Sequence, residues 1–135
     1  MIPLTTGRLF KIVYNARIIP AVRMNKRTMF ANTKGGKRAR EYLACKDALS
    51  WKYKDARGPG TPFFFPPKTP IRVMIDIRAP NIFVWDVDNL MKTVTDAANK
   101  IIYDDDRYIV SATITKARAK EWSTIIIFEE YDEKE

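Results

Sequence analysis

The chain has 135 residues, 24 Lys and Arg against 16 Asp and Glu, a net charge of +8 and a hydrophobic fraction of 46%; this suits one packed domain spanning residues 1–135 and argues against a disordered chain. A single cysteine, Cys45, and no histidine exclude an intrachain disulfide, a multi-cysteine zinc site and an imidazole-assisted nucleophile, so any catalysis must run on carboxylates, lysine, tyrosine or a bound metal. No aliphatic run approaches the roughly 18 residues of a membrane span, and the first residues lack signal-peptide order, which predicts a soluble, cytoplasmic protein with no membrane partner.

In chain order, RLFKIVYNARI sets Phe10, Ile12 and Tyr14 against Lys11, Val13 and Asn15, a strand with one buried face. PAVRMNKRTMFANTKGGKR is polar, basic and broken by Pro20, Gly35 and Gly36, and reads as a loop or mobile arm. From about Arg38 to Tyr53 the apolar Ala39, Tyr42, Leu43, Leu49 and Tyr53 predict an amphipathic helix with Cys45 as core filler and lysines and arginines on its wet side. Residues 1–57 carry fourteen Lys and Arg against three acids, whereas residues 58–135 carry ten against thirteen. The basic half is therefore a candidate polyanion surface, with nucleic acid the favoured partner and a merely solvated basic face the bland alternative.

GPGTPFFFPPKTP holds five prolines and two glycines, too many for a helix or a central strand, and is a connecting loop. Phe63, Phe64 and Phe65 within it are expected to cover the core edge; stacking on bases, wedging into a duplex and a subunit contact are the alternatives. IRVMIDIRAP alternates cleanly, with Ile71, Val73, Ile75, Ile77 and Ala79 facing one way, and is a strand. Leu90, Val94, Ala97, Ala98 and Ile101 then follow helical spacing, with Asp88 or Asn89 as N-cap. RYIVSATITKARAKEWSTIIIFEEY reads as two strands, about 108–118 and 122–131, folded back on each other around Ala119, Lys120 and Glu121. The order β-α-β-α-β-β predicts an α+β fold, a small mixed sheet flanked by two helices.

Inside this basic chain, residues 85–110 gather six aspartates: 86, 88, 96, 104, 105 and 106. Asp86 and Asp88 lie two apart on extended chain, so both carboxylates can project from one face. The triple 104–106 follows at the far end of a helix of about 18 Å; the two groups meet only if the next strand returns beside the first. Clustered carboxylates need protons or cations, and without histidine the donor set is all oxygen, suited to Mg²⁺, Mn²⁺ or Ca²⁺. The calcium-loop pattern is absent. A divalent metal beside a polyanion-binding surface points to phosphodiester hydrolysis, with Lys92, one turn past Asp88, placed to neutralise phosphate charge. The blander reading makes Asp a helix cap and the triple a solvated turn. Asp96, mid-helix, is expected to serve the fold.

DVDNLMKTVTDAANKIIYDDDRYI resembles the signature of the RusA family of Holliday-junction resolvases, Asp-x-Asp-Asn-Leu-x-Lys followed by Asp-Ala and an acidic pair. The resemblance implies a Mg²⁺-dependent, homodimeric endonuclease, phage- or prophage-encoded, that nicks two strands of a four-way DNA junction in recombination and repair. It implies Asp86, Asp88 and Asp106 as metal-binding catalytic carboxylates, with Asp105 as first of the pair and the alternative third ligand, and Lys92 as the family's lysine. The chain departs at Tyr108, where many members carry a polar residue. Junction phosphates would be met by Arg23, Lys26, Arg27, Lys34, Lys37, Arg38 and Arg40. The competing function is a non-catalytic DNA- or RNA-binding module whose aspartates are structural.

Overall fold

Strict alternation makes Ile71–Ala79 the axis of the sheet: Ile71, Val73, Ile75, Ile77 and Ala79 are all buried, while the residues between them are partly or fully exposed. The structure, a computed structural model, describes residues 8–22, 32–60 and 62–133. In chain order its elements are β1 (Leu9–Tyr14), α1 (Lys34–Arg57), β2 (Ile71–Ala79), α2 (Val87–Ala98), a 3-10 turn (Asp106–Tyr108), β3 (Ile109–Arg118) and β4 (Ser123–Glu130). This is the expected α+β architecture, a mixed four-stranded sheet with two helices.

The strands lie in the order β1-β4-β2-β3, with β3 parallel to β2 and the other neighbours antiparallel. Register aligns Phe10 with Phe128 and Val73, and Ile12 with Ile126 and Ile75, so one sheet face is a continuous apolar layer. The opposite face brings Ile125 and Ile127 beside Asp76 and Met74, all of them part-exposed. The expected hairpin of the last two strands is corrected: β2 lies between them. The connection 119–122 crosses the end of β2, where Ala119 N donates to Ala79 O at 3.0 Å. Two strand spacings are about 9.6 Å and four extended residues reach about 13 Å, so the crossing needs no strain. Pro80, which offers no N–H, follows directly on β2 and leaves that end open.

Both helices pack on the apolar layer and on each other. Ala39, Tyr42, Cys45, Leu49 and Tyr53 form the buried face of α1, and Leu43 is only half-buried. The Tyr53 ring meets Phe10 and Phe128, and its hydroxyl donates to Val94 O at 3.0 Å, tying α1 to α2. Cys45 is core filler with an added role, its sulfur accepting from Ile19 N at 3.4 Å. Phe65 is fully buried, and Phe64 packs on Phe10 and Phe65, as expected for a loop that covers the core edge.

Residues 34–38, read as the end of the basic loop, belong to α1. Gly35 and Gly36, read as breakers, lie in the first turn of α1 because Thr33 caps it: its hydroxyl accepts from Gly36 N at 3.1 Å and its carbonyl from Lys37 N at 3.0 Å. A cap satisfies donors that a first turn otherwise leaves unpaired, which offsets the low helix propensity of glycine.

Candidate active site

Helix α2 is the crossover between the parallel strands β2 and β3. Its N-cap position is Asp86, not Asp88 or Asn89, since the helix begins at Val87. The Asp86 carboxylate makes no cap hydrogen bond, so the bland reading of this residue as a capping side chain does not hold. Asp88 lies in the exposed first turn, where negative charge is favoured by the helix dipole. The Asn89 carbonyl instead accepts from Ala21 N at 3.1 Å and Thr93 Oγ1 at 3.2 Å, while Thr93 Oγ1 lies 2.7 Å from Ile19 O. These contacts pin the segment after β1 to α2.

Spacing of four places Asp88, Lys92 and Asp96 on one stripe of α2. At the stripe's end the Asp96 carboxyl lies within hydrogen-bonding reach of Asp106. Burial first, and then the Asp106 charge, raise the Asp96 pKa; Lys46 of α1 and Lys92 oppose the shift. Asp96, expected to serve the fold, has a carboxyl that faces Asp106 and two lysines. Composition gave no hint of Lys46, but the stripe containing Asp96 was readable as i, i+4, i+8.

The three consecutive aspartates have three different surroundings. Asp104 pairs with Lys100. Asp105 caps the 3-10 turn, accepting from Arg107 N at 2.9 Å, and this hydrogen bond lowers its pKa. Asp106 turns to Asp96 and accepts from Asn99 Nδ2 at 3.4 Å. The Asn99 amide oxygen is buried without a hydrogen-bond partner among the described residues. The two facing carboxyls of Asp96 and Asp106 suit a hard divalent cation, whereas Asn99 presents its amide nitrogen, not its orphaned oxygen, to Asp106. Asp86 and Asp88 stand at the other end of α2, and among the described residues no three acidic groups converge into a ready ligand cage. The sequence-predicted carboxylates therefore occupy the two ends of one helix, joined by the Asp88–Lys92–Asp96 stripe.

Of the cations expected to meet phosphate, Lys34, Lys37, Arg38 and Arg40 are exposed in the first two turns of α1, and Lys37 lies 3.9 Å from Glu41. Those turns hold no acid in the first turn, so the positive end of the helix dipole adds to the side-chain charge. Arg23, Lys26 and Arg27 lie outside the described residues. Arg38 and Asp86 line the same cavity of about 270 Å³, so the basic helix and the acidic helix meet there.

The sequence model of the endodeoxyribonuclease RusA matches residues 20–128. The chain belongs to the RusA endodeoxyribonuclease family. The match takes in α1, β2, α2, β3 and most of β4, and so covers the basic helix, the acidic stripe and the Asp106 turn of this RusA-family chain. A search of curated proteins returns no matching relative. Among the described residues no helix is long and apolar enough to cross a membrane.

Proposed function

We propose that this RusA-family chain is a divalent-metal-dependent endonuclease that resolves four-way DNA junctions by paired phosphodiester cleavage, as a homodimer, in recombination and repair. The observation that carries this reading is the shared cavity of Arg38 and Asp86, which sets a phosphate-binding cation beside a carboxylate that no cap employs.

Asp86 and Asp88 at one end of α2, and Asp106, with Asp105 its neighbouring alternative, at the other would offer oxygen ligands to Mg²⁺ or Mn²⁺; the two ends of the helix in one chain are too far apart to share one ion, and the Asp106 charge beside Asp96 supports a cation at that end. When bound, such a cation supplies water activation and neutralises charge on the phosphorane. Lys92, exposed between Asp88 and Asp96, neutralises a non-bridging or leaving oxygen. Lys34, Lys37, Arg38 and Arg40 position the backbone through phosphate contacts and carry no sequence information. A four-way junction offers two equivalent strands, and a two-fold dimer presents two identical sites to them. Such a dimer has a solution mass near twice 15.7 kDa, which light scattering measures.

The decisive experiment incubates wild type and Asp86→Asn with an end-labelled four-way junction and Mg²⁺. Wild type is expected to nick two opposed strands, and the variant to lose roughly two orders of magnitude or more in rate while binding the junction unchanged. Cleavage that survives in the variant removes Asp86 from the site. Binding without cleavage by wild type favours the non-catalytic DNA-binding module.

A further inference from the structure

The cavity that Arg38 and Asp86 share has walls that phosphate binding does not explain. Phe83 is 78% exposed, an unusual position for a large apolar ring in a monomeric surface, and Trp85 stands two residues on, immediately before Asp86. Pro20 and Val22 close the other side. Each aromatic is backed by a guanidinium, Arg118 at 5.4 Å from the Phe83 ring and Arg17 at 5.4 Å from the Trp85 ring. The Trp85 indole N–H is buried without an acceptor among the described residues.

The walls are held in place. Phe83 N donates to Asn81 Oδ1 at 2.9 Å, Lys116 Nζ reaches Trp85 O at 2.8 Å, and the opposite wall is tied down through Ala21 N and Ile19 O. A cleft with an apolar and aromatic wall and several polar groups suits a flat ligand with an apolar face and a polar edge. Arg38, Glu41, Asp86 and Asn89 supply the polar groups; an asparagine amide can pair with a base edge, and a carboxylate can accept from a base amino group.

The geometry points to a nucleobase pocket: one unstacked base of the bound DNA, next to the phosphate met by Arg38, enters between Phe83 and the Pro20–Val22 wall. The inference rests on the endonuclease reading for its substrate, but it concerns a separate ligand group, the base rather than the phosphate. Aromatic faces accept any base, and arginine contacts add to the stacking. The rim amide then favours some bases over others. The pocket therefore selects where along a branched strand the chain docks, whereas the basic helix sets how tightly it docks.

The test uses four-way junctions carrying a single abasic site, moved one nucleotide at a time through the branch point, with binding measured without metal. For wild type, one position is expected to weaken binding about tenfold when its base is removed. For Phe83→Ala, whose truncation touches an exposed side chain, the same junction is expected to bind as the intact one does. A second readout uses the variant with Trp51 and Trp122 changed to Phe, so that Trp85 alone emits: intact junction alters its emission, and the critical abasic junction does not. The pocket is refuted if no abasic position matters, or if Phe83→Ala shows the same abasic penalty as wild type. Because both readouts need no cleavage, a protein that shows the abasic pattern yet cuts nothing keeps the pocket and loses the nuclease reading. One that cuts junctions without any abasic effect keeps the nuclease and loses the pocket.

Discussion

Asp96→Asn separates a carboxyl kept for function from one kept for the fold. The folded chain raises the Asp96 pKa above its ordinary 3.8, by burial and then by the Asp106 charge. Below pH 3.8 the residue is protonated in folded and unfolded chains alike and costs nothing. As pH rises through the raised value, the folded chain acquires a charge that the unfolded chain carries more cheaply, so stability falls. Two charges 4 Å apart interact by about 4 kcal/mol at an effective dielectric of 20. Lys46 and Lys92 offset part of this, and Asp96 is only half-buried, so solvent screening leaves a penalty of about 0.5–1 kcal/mol. In EDTA at pH 7, Asp96→Asn is therefore expected to melt roughly 2–5 °C above wild type, and at pH 3.5 the two are expected to coincide. Differential scanning fluorimetry across that pH range measures both. With the proposed cation bound, wild type recovers the difference as Mg²⁺ is titrated, and the variant recovers less. A variant that melts lower than wild type at pH 7 without metal would refute the reasoning, since Asp96 would then be a structural hydrogen-bonding group.

Junction binding is expected to weaken steeply with salt, its logarithm falling by about 0.9 per phosphate neutralised; substituting Lys34 or Arg38 with Gln is expected to reduce the slope by about one, and a flat dependence would exclude phosphate contacts as the source of affinity. Thr33→Ala removes the cap of α1, and urea unfolding is expected to show a loss of about 1 kcal/mol. Tyr53→Phe deletes the buried hydroxyl bond to Val94 O and is expected to cost about 1–2 kcal/mol in the same assay; an unchanged midpoint would mean that water takes the hydroxyl's place.

Periodicity carried most of the fold because it reports burial directly: β2 alternates in sequence as it does in the structure, and α1 buries the predicted face. Pairing was less legible. Two consecutive strands with a short connection look like a hairpin in sequence, and nothing local shows that β2 lies between them; that follows from β2 needing a partner on both edges, which only the whole sheet reveals. The Gly35–Gly36 pair misled for a related reason, since the cap that rescues it belongs to Thr33. At the site, residue types and spacing were readable, but the different surroundings of Asp104, Asp105 and Asp106 depend on a single 3-10 turn and on Lys100. The stripe holding Asp96 was readable from its spacing, but the Asp106 and Lys46 that face it were not, because they come from other elements.

Why the acidic groups stand apart follows from the β2-α2-β3 unit itself. A crossover helix must run the length of the strands it connects, so residues before it and after it lie at opposite ends. Asp86 and Asp88 precede or open α2, and Asp106 follows it. Asp88 and Asp96 are separated by about 12 Å along the axis, with Lys92 midway on the same stripe. A strand of DNA touching both ends must lie along α2, where Lys92 meets it between the carboxyls. The N-terminal turns of α1 meet the Asp86 end of α2 at the cavity that Arg38 and Asp86 share. On the proposed reading, affinity and base contacts concentrate at the Asp86 end, whereas the Asp106 end, with Asp96, is the more acidic, so DNA lying along α2 would enter at the first end and need its charge balanced at the second.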